Sequence, residues 1–360
     1  MTLIFNAISV AARALLIAMA LVLAMVRPGN ALVDLKNANY SNTWIDLPEK
    51  LGVSILRTYN SRSLFAGIFG FGWCSDFETS IYFSDNGSYK LSFCGDGQTL
   101  EFERPQRREG SGRALSSDDG STLEISDEQF LYRSADGQKT LHFDRMGHLS
   151  AIETSGFGTV EIIRLYGRVT EVVDWEGRRY RFLIGSAGKV LRIQTPESLV
   201  IEYQYNQFGD LVAVKNGWGN VYRFHYDELH NLVRASWPDK TFIAIDYDKE
   251  RDWVTGFTDR DVCKEAYAYK QGLSPRGTEV YWVYITKHCK EELIVEGLYE
   301  FVYTREPLSG PGRLWKVRVS SGLPGPNGVD FTETVHPETG PPIITREKRD
   351  SLHTPLLRPQ

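Results

Sequence analysis

The chain has 360 residues and a net charge of −5, with 24% charged residues, 12% aromatic residues and four methionines. That mildly acidic balance gives no reason to expect nucleic-acid binding. The length holds one or two domains, and plentiful aromatics with scarce methionine suit a β-rich protein outside the cytoplasm.

Residues 1–31 read as a secretory signal peptide. Arg13 precedes a short apolar run, Ala14 to Val26, which Arg27, Pro28 and Gly29-Asn30-Ala31 follow. Such a run is too short for a bilayer span, which needs about 20 residues, and small residues ahead of a cleavage point complete the secretory pattern. Cleavage after Ala31 leaves a mature chain that starts at Leu32 and, with Arg13 and Arg27 gone, takes the charge from −5 to −7. The competing reading is an uncleaved anchor over 3–26, which would contain Arg13.

Residues 32–140 read as a β-rich N-terminal region. Turn formers recur at Asp85-Asn86-Gly87, Gly95-Asp96-Gly97, Asp118-Asp119-Gly120 and Asp136-Gly137, with strands such as 80–83 and 99–102 between them. The polar, basic stretch 105–112 is expected to be an exposed loop.

Residues 141–262 carry an internal repeat. Gly147, Gly167, Gly188, Gly209, His230 and Arg251 recur at a near-constant spacing, twenty positions for the first step and twenty-one for each step after it. That spacing marks a tandem array of one small unit. Leu149, Val169, Val190, Leu211, Leu232 and Trp253 follow two positions later, and Phe143, Tyr205, Tyr226 and Tyr247 precede by four. Aromatic-Asp-x-x-Gly-x-Leu is a turn between two strands, because Asp or Asn folds back on the local backbone and Gly accepts positive φ. His230 and Arg251 replace that Gly and predict strain or another turn geometry. A second breaker set, Gly177, Ser198, Gly219, Lys240 and Asp261, shares the period. Two turns per unit leave strands of roughly 6–8 residues.

The strands alternate. Tyr180, Phe182 and Ile184 share a face, as do Ile201, Tyr203 and Tyr205, then Tyr222, Phe224 and Tyr226, then Ile243, Ile245 and Tyr247. Period two with one apolar face predicts half-buried antiparallel strands. Arg181, Glu202 and Arg223 recur on the polar face. Equivalent strands lie ~10 Å apart, so these residues are expected to be solvated rather than paired with one another.

Residues 263–321 predict a longer terminal hairpin, with strands at 281–285 and 299–303. Eleven glycines and prolines from Gly322 to Pro359 predict an irregular tail over 322–360. The four cysteines, Cys74, Cys94, Cys263 and Cys289, predict two disulfides in an exported chain. Three connectivities are possible, and the local one, Cys74–Cys94 with Cys263–Cys289, is expected. The second pair brackets the turn composition at 271–277. The first brackets the turn at 84–87 with its midpoint slightly off.

The array resembles the RHS or YD-repeat proteins of bacterial surfaces and polymorphic toxins, to which teneurin repeats are related. A second segment strengthens the resemblance: Leu56-Arg57-Thr58-Tyr59-Asn60-Ser61-Arg62-Ser63, then Gly67 and Phe69-Gly70-Phe71-Gly72-Trp73. It is similar to the segment that opens the repeat region in RHS proteins. Family members commonly wind such strands into a large hollow shell, often around a C-terminal toxin. Here the repeats span only about 120 residues, or some twelve strands, too little surface to enclose a cargo. The expected fold is therefore all-β, with tandem hairpins of about 21 residues forming an open, curved antiparallel sheet behind the β-rich N-terminal region. Its strand edges invite pairing.

No nucleophile motif, metal-ligand spacing or phosphate-binding glycine loop stands in the sequence. No catalytic residue, cofactor or metal is therefore expected, and Asp-rich turns lack the ordered calcium loop. Trp175, Trp218 and Trp237 sit in turns of one class and are the candidate binding residues. An exposed ring beside Asn, Asp and Gly suits a sugar face, whereas the plainer reading has these rings covering the core rim. The functional expectation is a non-enzymatic, exported interaction or scaffold module, periplasmic, surface-bound or secreted. Its partner would be another protein, for instance an RHS-type chain, or a surface glycan. It would meet no nucleic acid, and a membrane only during export. The alternatives are a split or truncated shell segment of a larger RHS toxin system and, ranked last, a secreted toxin or hydrolase.

Overall fold

A computed structural model of the chain describes residues 33–50, 52–85, 87–94, 99–102, 113–117, 119–273, 277–303, 314–322, 329–337 and 341–349. The expected signal peptide, the loop at 105–112 and much of the tail lie outside the described residues.

The N-terminal strands are β1 (Val33–Asp34), β2 (Asn39–Lys50), β3 (Val53–Asn60), β4 (Ala66–Gly67), β5 (Gly70–Phe71), β6 (Trp73–Cys74), β7 (Ser80–Phe83), β8 (Tyr89–Ser92) and β9 (Thr99–Phe102). They form three small sheets, ordered β1-β2-β3-β6, β4-β5 and β7-β8-β9. The large sheet starts with β10 (Arg113–Ser116), β11 (Thr122–Ile125) and β12 (Gln129–Arg133). The array follows as β13 (Lys139–Asp144), β14 (Leu149–Thr154), β15 (Gly158–Leu165), β16 (Arg168–Val173), β17 (Arg179–Ile184) and β18 (Val190–Gln194). It continues as β19 (Val200–Tyr205), β20 (Leu211–Lys215), β21 (Val221–Tyr226), β22 (Leu232–Ser236), β23 (Phe242–Tyr247) and β24 (Val254–Thr258). The last strands are β25 (Lys264–Leu273), β26 (Glu279–Cys289), β27 (Glu292–Tyr303), β28 (Leu314–Ser321), β29 (Val329–Val335) and β30 (Ile343–Arg349).

β10 to β30 form one antiparallel sheet of 21 strands in sequence order, and it does not close. The twelve strands expected for the array are β13–β24. Two expectations are corrected. Part of the N-terminal region, from 113 onward, belongs to the large sheet rather than standing in front of it. The tail expected to be irregular contributes β29 and β30. There, alternating and β-branched residues such as Val329, Phe331, Thr332 and Val335 make strand, and the breakers fall between strands.

Four of the six repeat turns share one piece of chemistry. Asp144, Asn206, Asp227 and Asp248 each accept backbone N–H bonds from residues two and three or four ahead. A β-bulge follows at the aromatic position, as between Gln204 and Tyr205 and between His225 and Tyr226. His230 takes the glycine's place with φ of 67°. Arg251 does not. Asp252, one residue later, carries the positive φ of 54°. That extra residue moves Val254, rather than Trp253, into the buried slot held by Leu149, Val169, Val190, Leu211 and Leu232. The same shift puts Val262, rather than Asp261, at positive φ in the next turn.

The tyrosines lock neighbouring repeats. The hydroxyls of Tyr205, Tyr226, Tyr247 and Tyr269 donate to the carbonyls of Val190, Leu211, Leu232 and Val254, each 15 residues back. Arg164 holds the same register position, and its Nε donates to the Leu149 carbonyl, also 15 residues back. The polar face behaves as expected. Arg181 and Glu202 do not meet; Arg181 pairs with Glu171 and Glu202 with Arg192 and Lys215, on the strands between.

Candidate functional site: the interlayer seam, the turn rims and the open end of the sheet

The N-terminal sheets lie on the apolar face of the large sheet and bury it. Their rings meet those of the array along its length: Phe77 on Phe182, Phe69 on Tyr203, Trp44 and Trp73 on Phe224, and Tyr40 on Phe257. Backbone bonds stitch the same seam. Val190 N–H donates to Ile68 C=O, Val254 N–H to Ala38 C=O and Leu232 N–H to the Tyr59 hydroxyl. One slot residue thus gives its N–H to the N-terminal layer and its C=O to the next tyrosine.

At the centre of the seam stands a buried ion pair. Arg57 Nε and Nη2 donate to Asp46 Oδ2 at 2.5 Å and Oδ1 at 3.0 Å, and Tyr203 Oη donates to Oδ2 at 2.9 Å. The Arg57 guanidinium also lies 4.7 Å from the Trp73 ring centroid and 5.2 Å from that of Phe224. Burial works to lower the Arg57 pKa, but the Asp46 carboxylate more than offsets it and holds the pKa above its usual value. Nearby, Glu78 accepts the N–H of Ile68 at 2.7 Å and of Ser75 at 3.1 Å. Desolvation pushes its carboxyl up to about 7, against the pull of those two bonds and of Arg164. In the sequence Arg57 shows only as one residue of the Leu56–Ser63 segment. Its signal was an arginine inside an otherwise strand-like stretch, Leu56-Arg57-Thr58-Tyr59.

The structure does not bring the three candidate tryptophans into one site. Trp175 packs against the core, its ring flush on the backbones of Gly52 and Gly158. Trp237 stacks on Trp44 at 6.3 Å and carries the Arg260 guanidinium over its ring at 4.8 Å. Both close the core rim. Trp218 alone stands out, 57% exposed, between Gly217 and Gly219. The expected disulfides form: Cys263–Cys289 closes the β25–β26 hairpin, and Cys74–Cys94 ties β6 to the segment after β8. The 3-10 turn at Asp76–Glu78 lies between Cys74 and β7, which explains the off-centre midpoint. His225 is exposed on the polar face, and His230 Nδ1 meets Asp210 Oδ1 at 2.8 Å within the turn rim.

The N-terminal layer ends at Lys36, Asn37 and Arg62. Beyond it a cleft of about 610 Å³ opens between those residues and Trp253, Gln271, Glu279, Tyr281 and Tyr303. Past the cleft, inner-face residues Tyr299, Val317 and Val319 are half-buried, and edge strand β30 exposes Ile343 and Ile344 at 60% and 55%. Among the described residues β10 and β30 each have one strand neighbour.

Residues 37–102, which make up most of the N-terminal layer, match a family described as a domain of unknown function (DUF6531). A double-stranded DNA deaminase toxin A of Burkholderia cenocepacia (strain H111) is 28% identical over 204 residues, covering 51% of this chain and 13% of that protein. The chain thus matches only a small part of that curated relative's length. Among solved structures, a TcdB2-TccC3 complex aligns over 86% of this chain and 23% of its own at 11% identity, with a TM-score of 0.35. A Tc holotoxin pore of Photorhabdus luminescens aligns over 79% and 20% at 9% identity, with a TM-score of 0.32. Over those 204 residues the chain is similar to part of a toxin.

Proposed function

We propose that this chain is a non-enzymatic, exported YD-repeat wall that docks another protein chain along its free strand edge. The observation that carries the reading is the open end of the sheet. The last strand, β30, has a neighbour on one side only among the described residues, and it follows an inner face that the N-terminal layer no longer covers. A free edge with exposed Ile343 and Ile344 offers backbone pairing and apolar contact together. The likeness to a far longer toxin favours a shell segment of an RHS-like toxin system over a stand-alone binder. No side chain is assigned a catalytic role.

A photocrosslinking residue at Thr345, on β30, tests the reading in cells. The expected adduct is a second repeat-bearing chain or a toxin, absent when the same probe sits at Gln204 on the solvated face. Equal adducts from both positions, or none from Thr345, would remove the docking edge. Export is checked separately by sequencing the mature N-terminus, expected at Leu32.

Glycan binding is a second reading, and it now rests on Trp218 alone, because only that ring is free. Unchanged glycan retention after Trp218→Ala would end it.

A further inference from the structure

The two rims of the large sheet differ in chemistry. On the rim formed by the turns at 155–157, 174–178, 195–199, 216–220, 237–241 and 259–263, the exposed acidic tips Glu176, Glu197, Asp239 and Asp261 stand among three exposed apolar ones, Phe157, Trp218 and Val262. On the opposite rim, the turn position ahead of the repeat glycine holds Met146, Tyr166, Ala187, Phe208 and Leu229. Four of these are exposed side chains, at 72%, 94%, 71% and 53% for Met146, Tyr166, Phe208 and Leu229. Leu165, beside Tyr166, is 58% exposed. Strand β7 joins this rim, because Ile81 N–H donates to Gly147 C=O, and it adds Tyr82 at 48%.

Over β13–β18 the same rim is basic. Arg145 and Arg168 are exposed and Lys189 is half-buried, and none of the three forms an ion pair among the described residues. Arg168 lies across Gly188 and Lys189 across Gly209, so each cation reaches onto the next turn. Asp144 is the carboxylate on these three turns, and backbone N–H groups and His148 occupy it.

We infer that this rim is a peripheral docking surface for an anionic lipid bilayer. Apolar tips at ~10 Å intervals protrude rather than enclose a groove, which fits a surface into which side chains dip. Uncompensated cations behind the tips match anionic headgroups. No helix among the described residues is long and apolar enough to cross a membrane, and the contact needs none. It goes beyond the protein-docking reading and uses a different part of the sheet.

Cosedimentation of the full chain with vesicles tests it, using phosphatidylcholine alone and phosphatidylcholine with phosphatidylglycerol. The segment at 14–26 is common to every variant, so differences between variants report on the rim. Tighter binding to the anionic vesicles is expected, with loss as NaCl rises from ~0.05 M to ~0.5 M and the Debye length shrinks. Arg145→Glu with Arg168→Glu and Lys189→Glu should weaken that binding by about 100-fold. Met146→Ser with Tyr166→Asn should weaken it about 10-fold at unchanged circular dichroism. Phe157→Ser, on the opposite rim, should leave it unchanged. Equal binding by wild type and both rim variants, or no preference for anionic vesicles, overturns the inference. So does a rim-dependent dimer in sedimentation velocity without vesicle binding.

Discussion

The same sheet is held in two different ways along its length. Over β13–β24 the strands are short, from 5 residues in β18 to 8 residues in β15, and their inner face is covered by a second layer. Tyrosine hydroxyls and slot carbonyls fix each repeat on the last. From β25 on the strands are longer, up to 12 residues in β27 and still 7 residues in β29. There the N-terminal layer falls away, and the inner face turns polar at Thr332 and Thr334, across from Val319 and Val317. On the other face, side-chain bridges stand beside the buried Leu298, Val302, Val329 and Phe331. Trp282 donates to Glu300, Arg318 reaches both Glu300 and Glu333, and Lys316 also meets Glu333. A covered sheet is stabilised by burial, whereas an uncovered one depends on strand length and cross-strand pairs.

The largest effect expected from that contrast is at Arg57. Arg57→Ala leaves Asp46 buried without its counter-charge and strips the ring contacts, at about 3–5 kcal/mol. Arg318 sits in an equally connected cross-strand network, but its side chain is 42% exposed, and water screens it. Arg318→Ala should cost ~0–1 kcal/mol. Urea unfolding of the two variants measures both. Similar losses would mean that the uncovered end carries as much stability per ion pair as the covered core, and the contrast would fail.

Protonation gives the next effect. The Glu78 carboxyl has its pKa raised to about 7 in the folded state, above its unfolded value. A raised carboxyl pKa means that protons favour the folded state. Its contribution is full below about pH 4.5 and is lost as pH rises through about 7. Thermal melts across that window should show falling stability in the wild type. Glu78→Gln, which cannot ionise, should flatten the slope while the uncovered end keeps its own pH response. An unchanged slope would place the titration elsewhere.

Much of this was legible beforehand, for a physical reason. A fixed repeat period with breakers at fixed offsets leaves only hairpins, and alternation names the buried face, so the array and its open form follow. The two cysteine pairs were legible because each brackets a turn. At Arg251 the sequence predicts strain or another turn geometry without deciding between them, because it shows spacing but not φ; backbone geometry reveals that Asp252 takes the left-handed position. The tail misled because Pro and Gly between strands look like Pro and Gly within disorder. The covering layer was not legible at all. Nothing local in 33–102 says that its rings pack on Phe182, Tyr203, Phe224 and Phe257, because those contacts join segments far apart in the chain.

The tyrosine ladder separates the two regions more finely. The Tyr226 hydroxyl donates to Leu211 C=O at 2.8 Å and accepts from Trp73 Nε1 at 2.8 Å, so it binds both the previous repeat and the N-terminal layer. The Tyr269 hydroxyl meets the Val254 carbonyl alone among the described residues. Tyr226→Phe leaves two buried groups unpaired and should cost about 2–3 kcal/mol, against about 1 kcal/mol for Tyr269→Phe. Equal losses in denaturant melts would mean that the Trp73 bond adds nothing to the hold between the two layers.

The smallest expected effect tests the turns themselves. Gly219 and Lys240 occupy one register position in successive repeats, with φ of 83° and 70°. A Cβ added at Gly219 meets nothing within 4 Å, so Gly219→Ala measures backbone strain without a steric clash. That strain is about 1 kcal/mol for a left-handed residue with a side chain. Lys240 already bears it, and its exposed side chain forms no ion pair among the described residues. Lys240→Gly should therefore stabilise by about 0.5–1 kcal/mol, less than the full strain because glycine also loosens the unfolded chain. His230→Gly should gain less, since the 2.8 Å contact with Asp210 is lost with the ring. A stabilisation at 230 as large as at 240 would show that the histidine–aspartate contact is idle and that His230 is a tolerated substitute for glycine.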